Sequence, residues 1–178
     1  RPGGELITFH IRPDGGDTAQ NPTKIVQHYP GEGAGLDCAW DHPFRALPPG
    51  DPSRIQGGDT LVIHSGNYAM GFDAVDGLNP DVCSQDYPWD CVMPPIPSGL
   101  DTKHPTRILG EGWDKGCDQP PELWGLERAH QILDLTGSQN VQIACLEITD
   151  LPLVLKITQK VHTVVKEVKT TRIAGGLA

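Results

Sequence analysis

Apolar positions along this chain fall into short runs, and each run is closed by a glycine or an asparagine. The runs lie within residues 57–68, 106–110 and 131–143, and the last range holds two of them about ten residues apart. Strands this short cannot bury an apolar face alone and must stack on neighbouring strands. The pattern therefore predicts an all-β chain that coils as a solenoid.

The predicted core is formed by the apolar side chains of these runs and of the residues that follow them. Its members are Leu61, Ile63, Ile108, Ile132, Leu133, Leu135, Val141, Ile143, Leu146 and Ile148. Alternate residues of a strand face opposite sides, but adjacent apolar pairs such as Leu61 and Val62 leave the register open.

A further strand and a short helix are predicted before the first of these runs. Residues 5–12 have strand character and end at Pro-Asp-Gly-Gly (13–16), which is a strong turn signal. Residues 41–47 fit a helix of one to two turns, with Asp41 as its N-cap and Pro43 in the first turn. We expect this helix to cover one end of the solenoid.

Three of these motifs together resemble a known family. They are Arg-Pro-Asp-Gly-Gly (12–16), Pro-Phe-x-x-Leu (43–47) and Gly-Gly-Asp-Thr-Leu-Val-Ile-x-x-Gly-x-Tyr (57–68). In this order they resemble the N-terminal end of right-handed parallel β-helix proteins, a group that includes pectate-lyase-like and alginate-lyase-like polysaccharide enzymes. The resemblance covers residues 6–150. It implies a right-handed parallel β-helix and a polysaccharide ligand. The family normally continues for many more coils than the few predicted here, and its catalytic residues usually lie on the middle coils, so no catalytic residue is carried over from it.

The five cysteines bear on the compartment in which the protein works. Cys83 and Cys91 flank a short loop and suit one disulfide, whereas Cys117 and Cys145 suit a second one across adjacent coils. Cys38 is then left unpaired. Loop-rich chains with such bridges are typical of oxidising compartments, so we predict a secreted or extracytoplasmic protein. The alternative is five reduced thiols, some of them buried.

The charge changes sign after residue 150. Residues 1–150 carry 9 Lys and Arg and 22 Asp and Glu, a balance of −13, whereas residues 151–178 balance at +4. We therefore divide the chain into a β-helix domain, 1–150, and a basic, β-rich tail, 151–178. The near-alternation of Val, Ile and Thr in the tail predicts strands, and we expect 151–168 to pair with, or lie across, the last coil at 141–148. The alternative is a solvated end.

Composition also restricts the partners. A net charge of −9 argues against nucleic acid, because phosphate binding requires clustered Lys and Arg. The apolar runs are too short for a membrane span. Self-association through the open end of the solenoid is expected, because a terminal coil exposes unpaired backbone groups.

Cleavage of a uronate polymer by a lyase requires a group that neutralises the sugar carboxylate, commonly calcium, and a base. The predicted calcium ligands are Asp73, Asp76 and Asp81, in the densest acidic cluster of the chain. A solvated acidic loop is the alternative. The candidate bases are Lys103, Arg107 and Arg128.

Tyr87 and Trp89, on the long loop 69–105, are the predicted carbohydrate-binding platform, because aromatic rings offer broad flat faces. The alternative is that these rings only cover a flank of the solenoid.

No two of the seven histidines are spaced two or four residues apart, so a histidine site can arise only through folding. The sequence thus predicts a carbohydrate-active or carbohydrate-binding protein, a lyase or glycoside hydrolase if it is an enzyme. The alternative is a non-catalytic scaffold or surface-interaction module.

Overall fold

The computed structural model describes residues 5–16, 36, 38–75, 82–126, 129 and 131–149, and the backbone of 163–171. Its elements are β1 (Thr8–Ile11), α1 (Pro43–Ala46), β2 (Thr60–Ile63), β3 (Asn67–Met70), a short 3₁₀ helix (Pro88–Asp90), β4 (Thr106–Gly110), β5 (Glu122–Gly125), β6 (Val141–Thr149) and β7 (Thr163–Thr171). Strands make up most of the regular secondary structure in the described part of the chain, as predicted.

The strands form one parallel sheet that curls into a half-barrel, in the order β1-β2-β4-β6-β5-β3, with β7 also paired to β6. The first residues of β6 pair with β4 and its last residues pair with β5. The strands β4 and β5 therefore lie end to end along one edge of β6. Parallel pairing requires the chain to return to the same end before each new strand, so this topology is compatible with the predicted solenoid.

The corner between β4 and β5 depends on a close approach between two backbones. A Cβ atom added to Gly110 would collide with the carbonyl group of Cys145, so only glycine fits at the end of β4. Cys145 has a φ of 58° and lies where β6 passes from its β4 partner to its β5 partner. The disulfide Cys117–Cys145 joins the loop after Gly110 to this point.

All ten predicted core residues are buried, and none is more than 4% exposed. They form one cluster with apolar residues that the periodicity did not identify, among them Phe9, Trp40, Phe44 and Tyr68. Trp40 stacks on Phe9 with ring centroids 5.0 Å apart. These aromatic side chains and the buried residues of α1 extend the core beside β1, where Trp40 forms an isolated bridge with Ile11. That α1 covers one end of a solenoid stays a prediction.

The structure corrects three details of the predicted elements. The N-cap of α1 is His42 and not Asp41, because the His42 ring accepts the hydrogen bond from the N–H of Phe44. Ile132, Leu133 and Leu135 are buried, but their run forms only an isolated bridge and no strand. Finally, β3 and β5 were not predicted: β3 runs into the predicted loop 69–105, and β5 lies between the predicted runs 106–110 and 131–143.

The two expected disulfides are present. Cys83–Cys91 closes a loop with a sequence separation of 8, and Cys117–Cys145 one with a separation of 28, while Cys38 has a free thiol. In the tail, β7 pairs in parallel with β6 from Val141↔Thr163 onward, so residues 163–168 pair where we expected. The remainder of the expected segment, 151–162, lies outside the described residues.

Candidate functional site

A chain of three titratable side chains crosses the outer face of the sheet. His10 Nδ1 lies 3.1 Å from His64 Nε2, and His64 Nδ1 lies 3.3 Å from Glu111 Oε1. His10 belongs to β1, His64 directly follows β2, and Glu111 directly follows β4. We refer to these three residues as the His–His–Glu chain.

The parallel register explains how residues so distant in sequence meet. His10 is paired with Val62, so His64 lies two residues further along the neighbouring strand and on the same face. Such diagonal neighbours are within reach of each other when their side chains are long or cyclic. The buried Ile11 and Ile63 alternate with them and point into the core.

Hydrogen bonding constrains the carboxylate end of the His–His–Glu chain. The pKa of Glu111 is lowered, first by the Ser65 N–H, which donates to Oε2 at 3.0 Å, and further by His64. An ionised carboxylate only accepts, so His64 Nδ1 carries the proton that faces it. The proton between His10 Nδ1 and His64 Nε2 can belong to either ring, because each nitrogen donates in one tautomer and accepts in the other.

The imidazole of His10 favours its neutral form. Burial lowers its pKa, and the neighbouring charge of His64 lowers it further. The side chain of His64 is 19% exposed and that of Glu111 is 50% exposed, so the chain runs from a half-buried ring to a solvated carboxylate. A neutral histidine with a free nitrogen can accept a proton near neutral pH.

Three further groups lie near the His–His–Glu chain: Tyr68, Arg12 and Asp14. The hydroxyl of Tyr68 donates to the carbonyl of His64 at 2.9 Å, and burial, assisted by Asp14 and Glu111, raises the pKa of the phenol. Tyr68 is therefore a neutral donor and not a base. Arg12 donates through Nη2 to Asp14 at 3.0 Å. With Ile11 buried between them, Arg12 and His10 occupy the same face of the strand end.

An open cleft of about 380 Å³ lies between α1 and β3, and Tyr68 is part of its lining. Its lining includes Pro13, Asp41, His42, Arg45, Asn67 and Tyr68. Arg45 Nε donates to Asp41 Oδ1 at 3.1 Å, while the side chain of Asp41 is 34% exposed. Asn67 is an exposed residue at the start of β3.

His42 forms a fixed wall of the cleft. Its Nδ1 accepts from Phe44, and its Nε2–H donates to the carbonyl of Ala69 at 2.8 Å, so both nitrogens of the neutral ring are used. Burial lowers the pKa of His42 to about 4. This histidine holds α1 against β3, and it has no nitrogen left for a ligand.

The predicted aromatic platform is a compact unit. The rings of Tyr87 and Trp89 meet edge to face with centroids 5.7 Å apart, and Tyr87 is 58% exposed. The disulfide Cys83–Cys91 closes their loop, and the backbone N–H of Tyr87 donates to Ser84 Oγ at 3.2 Å. The contact to a sugar stays a prediction.

Of the three predicted calcium ligands, the structure describes only Asp73. Asp73 is exposed, whereas Asp76 and Asp81 lie outside the described residues, so the calcium site stays a prediction. Among the residues that the structure describes, no three His, Cys, Asp or Glu side chains are grouped to hold a metal ion.

Of the three candidate bases, the structure describes Lys103 and Arg107. Lys103 is in an exposed turn, and Arg128 is outside the described residues. Arg107 has its guanidinium 4.6 Å above the ring of Trp113, and its Nε donates to Gln142 at 3.0 Å. These contacts give Arg107 a role in packing on the outer face of the sheet.

Sequence reasoning did not identify the His–His–Glu chain, although it allowed that folding might join distant histidines. The available signal was positional. His10, His64 and Glu111 each lie at the end of a predicted strand, and parallel stacking brings such ends to one edge of a sheet. The register between β1 and β2 was needed to turn that signal into a contact.

Comparison with known proteins gives no match: no protein-family model, no curated protein and no solved structure is similar to this chain at a significant level. In the part of the chain that the structure describes, no helix is long and apolar enough to cross a membrane.

Proposed function

We propose that this protein is an extracytoplasmic right-handed parallel β-helix that binds polysaccharide in the cleft between α1 and β3. The observation that carries the proposal is the lining of this cleft, where planar polar groups stand beside apolar ones. The two disulfides support a location outside the reducing cytoplasm.

The chemistry of the lining suits a sugar. Sugar hydroxyl groups on adjacent carbons both donate and accept, so they fit side chains with two polar atoms in one plane. Asp41 presents such a carboxylate and Asn67 such an amide. Pro13, Ala74 and Val75 supply apolar contacts for the C–H faces of a ring.

The rigidity of the cleft also favours binding. Arg45 fixes Asp41 through their ion pair, and His42 fixes α1 to β3. A preorganised site does not lose side-chain entropy when the ligand arrives. The exposed Tyr87 ring on its disulfide-closed loop provides a second surface on which a sugar ring can stack.

Affinity electrophoresis in gels that contain polygalacturonate, alginate or a neutral β-glucan tests the proposal. We expect retardation in at least one of these polymers, weakened about tenfold by Asn67→Ala, the loss of roughly one good hydrogen bond. Thr8→Ala is the matched control, since Thr8 is also an exposed polar residue at the start of a strand. Unchanged mobility of the wild-type protein in every polymer would refute polysaccharide binding and favour the scaffold function.

A further inference from the structure

We propose that His10 and His64 bind a divalent transition-metal ion such as Zn²⁺ on the outer face of the sheet, with Glu111 as the carboxylate that orients His64. The inference goes beyond the proposed function and does not depend on it, because none of these three residues lines the cleft. It concerns the contact between the two imidazole rings, which polysaccharide binding leaves without a role.

The separation of the two ring nitrogens suits a shared metal ion. His10 Nδ1 lies 3.1 Å from His64 Nε2, and the ring centroids are 5.3 Å apart with their planes inclined by 36°. A zinc ion binds an imidazole nitrogen at about 2.0–2.1 Å, so two nitrogens at a tetrahedral angle are about 3.3 Å apart. The observed pair therefore has to open by only about 0.2 Å. Neither ring is fully buried, so small tilts of the side chains can provide this opening.

The protonation of the rings is compatible with metal binding. Glu111 is ionised and holds the proton of His64 on Nδ1, so Nε2 is the nitrogen of His64 that faces the metal. The metal ion takes the place of the proton between the rings, and His10 then binds through Nδ1 and carries its own proton on Nε2. Burial lowers the pKa of His10, and the charge of His64 lowers it further. His10 is thus a neutral ring, as a metal ligand has to be.

Glu111 gives His64 the surroundings of a metal ligand. His64 Nδ1 lies 3.3 Å from Glu111 Oε1, while the Ser65 N–H donates to the other carboxylate oxygen at 3.0 Å. A metal-bound histidine commonly donates its second ring N–H to a carboxylate, which fixes the tautomer and makes the ligand more basic. The backbone of His64 is held as well, because the hydroxyl of Tyr68 donates to its carbonyl at 2.9 Å.

The charge around the histidine pair favours a cation. Burial raises the pKa of the Tyr68 phenol, Asp14 and Glu111 raise it further, and Arg12 lowers it, so these three charges lie close to one side chain. Arg12 is paired with Asp14 at 3.0 Å, and the two charges of this pair offset each other. The carboxylate of Glu111 therefore leaves a negative balance beside His64.

Nitrogen ligands determine the class of the ion. Imidazole suits zinc, copper and nickel, whereas calcium and magnesium prefer oxygen ligands. With two histidines as protein ligands, water occupies the remaining positions around the ion. The site therefore differs from a closed one with three or more His, Cys, Asp or Glu ligands, which the described residues do not form.

Isothermal titration of the 178-residue chain with Zn²⁺ tests the site. We expect saturable binding that Glu111→Gln weakens 10- to 100-fold, the usual effect of losing the carboxylate behind a histidine ligand. His10→Gln and His64→Gln should weaken it at least as much, because each removes a bond to the ion itself. His104→Gln is the matched control and should bind as the wild type does, since His104 is an exposed histidine that also contacts a carboxylate, that of Asp101.

Two further controls exclude other ligands. Cys38→Ser removes the free thiol and should leave the affinity for Zn²⁺ unchanged. Excess Ca²⁺ should not displace Zn²⁺, and displacement would contradict nitrogen ligands. Circular dichroism of each variant checks that the fold is retained.

Nitrogen-15 NMR of the histidine rings identifies the ligand atoms without relying on a variant. On addition of Zn²⁺ we expect the resonances of His10 Nδ1 and His64 Nε2 to shift, with the ring protons on His10 Nε2 and His64 Nδ1. Binding with both of these resonances unchanged would place the ion elsewhere and overturn the proposal. The absence of saturable binding by the wild type, or equal affinity of the wild type and His10→Gln, would also overturn it.

Discussion

The carboxylate of Asp59 accepts the backbone N–H of Ile7 at 2.9 Å, across 52 residues of sequence. Its second oxygen accepts the N–H of Gln56 at 2.7 Å, and Asp59 is only 1% exposed. The aspartate of the Gly-Gly-Asp-Thr motif therefore joins β2 to the strand stacked on it. Its role is structural, which explains why the motif indicates a fold and not a reaction.

Asp59→Ala should lower the free energy of unfolding by roughly 2–4 kcal/mol. The substitution leaves two partly buried backbone N–H groups without their Asp59 acceptor, and an unsatisfied group costs about 1–3 kcal/mol when it is buried. Urea denaturation followed by circular dichroism measures the change. Asp51→Ala, at an exposed aspartate, should stay within about 0.5 kcal/mol of the wild type. Equal stability of the two variants would contradict this role of Asp59.

A second prediction concerns the pH dependence of stability at His42. The pKa of its imidazole is about 4 in the folded protein, against the ordinary 6.5 that applies to the unfolded chain, so the unfolded chain binds the extra proton. The stabilisation is complete above pH 6.5 and is lost as the pH falls toward 4. A difference of this size corresponds to roughly 3 kcal/mol.

His42→Asn isolates this effect, because asparagine can cap α1 but does not titrate. Subtracting its unfolding free energies from those of the wild type removes the contribution of the other acidic groups. We expect the difference to favour the wild type less and less as the pH falls through this range. A difference that is constant with pH would show that His42 is not the group responsible.

The core was predictable from the sequence because burial follows from local pattern. Leu61, Ile63 and Ile108 belong to β-branched runs with turn residues behind them, and such runs have few ways to hide their side chains. The run at 131–135 shows the limit of this reasoning. Its side chains are buried, yet its backbone is bonded differently: the carbonyl of Asp134 accepts the N–H of Ile96 at 3.0 Å. Burial alone does not distinguish a strand from a buried turn.

The candidate site was less predictable, because it depends on register. His10 and His64 meet only when Phe9 pairs with Leu61, and a shift of one residue would place the two rings on opposite faces. The cap of α1 was misassigned for a similar reason. Asp41 is the usual residue type at an N-cap, but here it is bonded to Arg45, and His42 takes the position because its ring also reaches Ala69.

A third prediction compares the two disulfides. The stabilisation from a cross-link increases with the length of the loop that it closes, so Cys117–Cys145 should contribute about 3.5 kcal/mol and Cys83–Cys91 about 2.5 kcal/mol. The paired Cys→Ala variants, unfolded in urea, measure these contributions. The reverse order of stability would contradict this account.

The last prediction concerns the tail. The strand β7 pairs with β6 along its length, from Val141↔Thr163 to Thr149↔Thr171. Deleting residues 151–178 therefore exposes a row of unpaired N–H and C=O groups on β6, and an open strand edge pairs readily with another chain. We expect the shortened protein to dimerise or aggregate, which size-exclusion chromatography with light scattering detects as earlier elution and loss of monomer. If the shortened protein remains a monomer with unchanged stability, β7 does not protect the edge of β6.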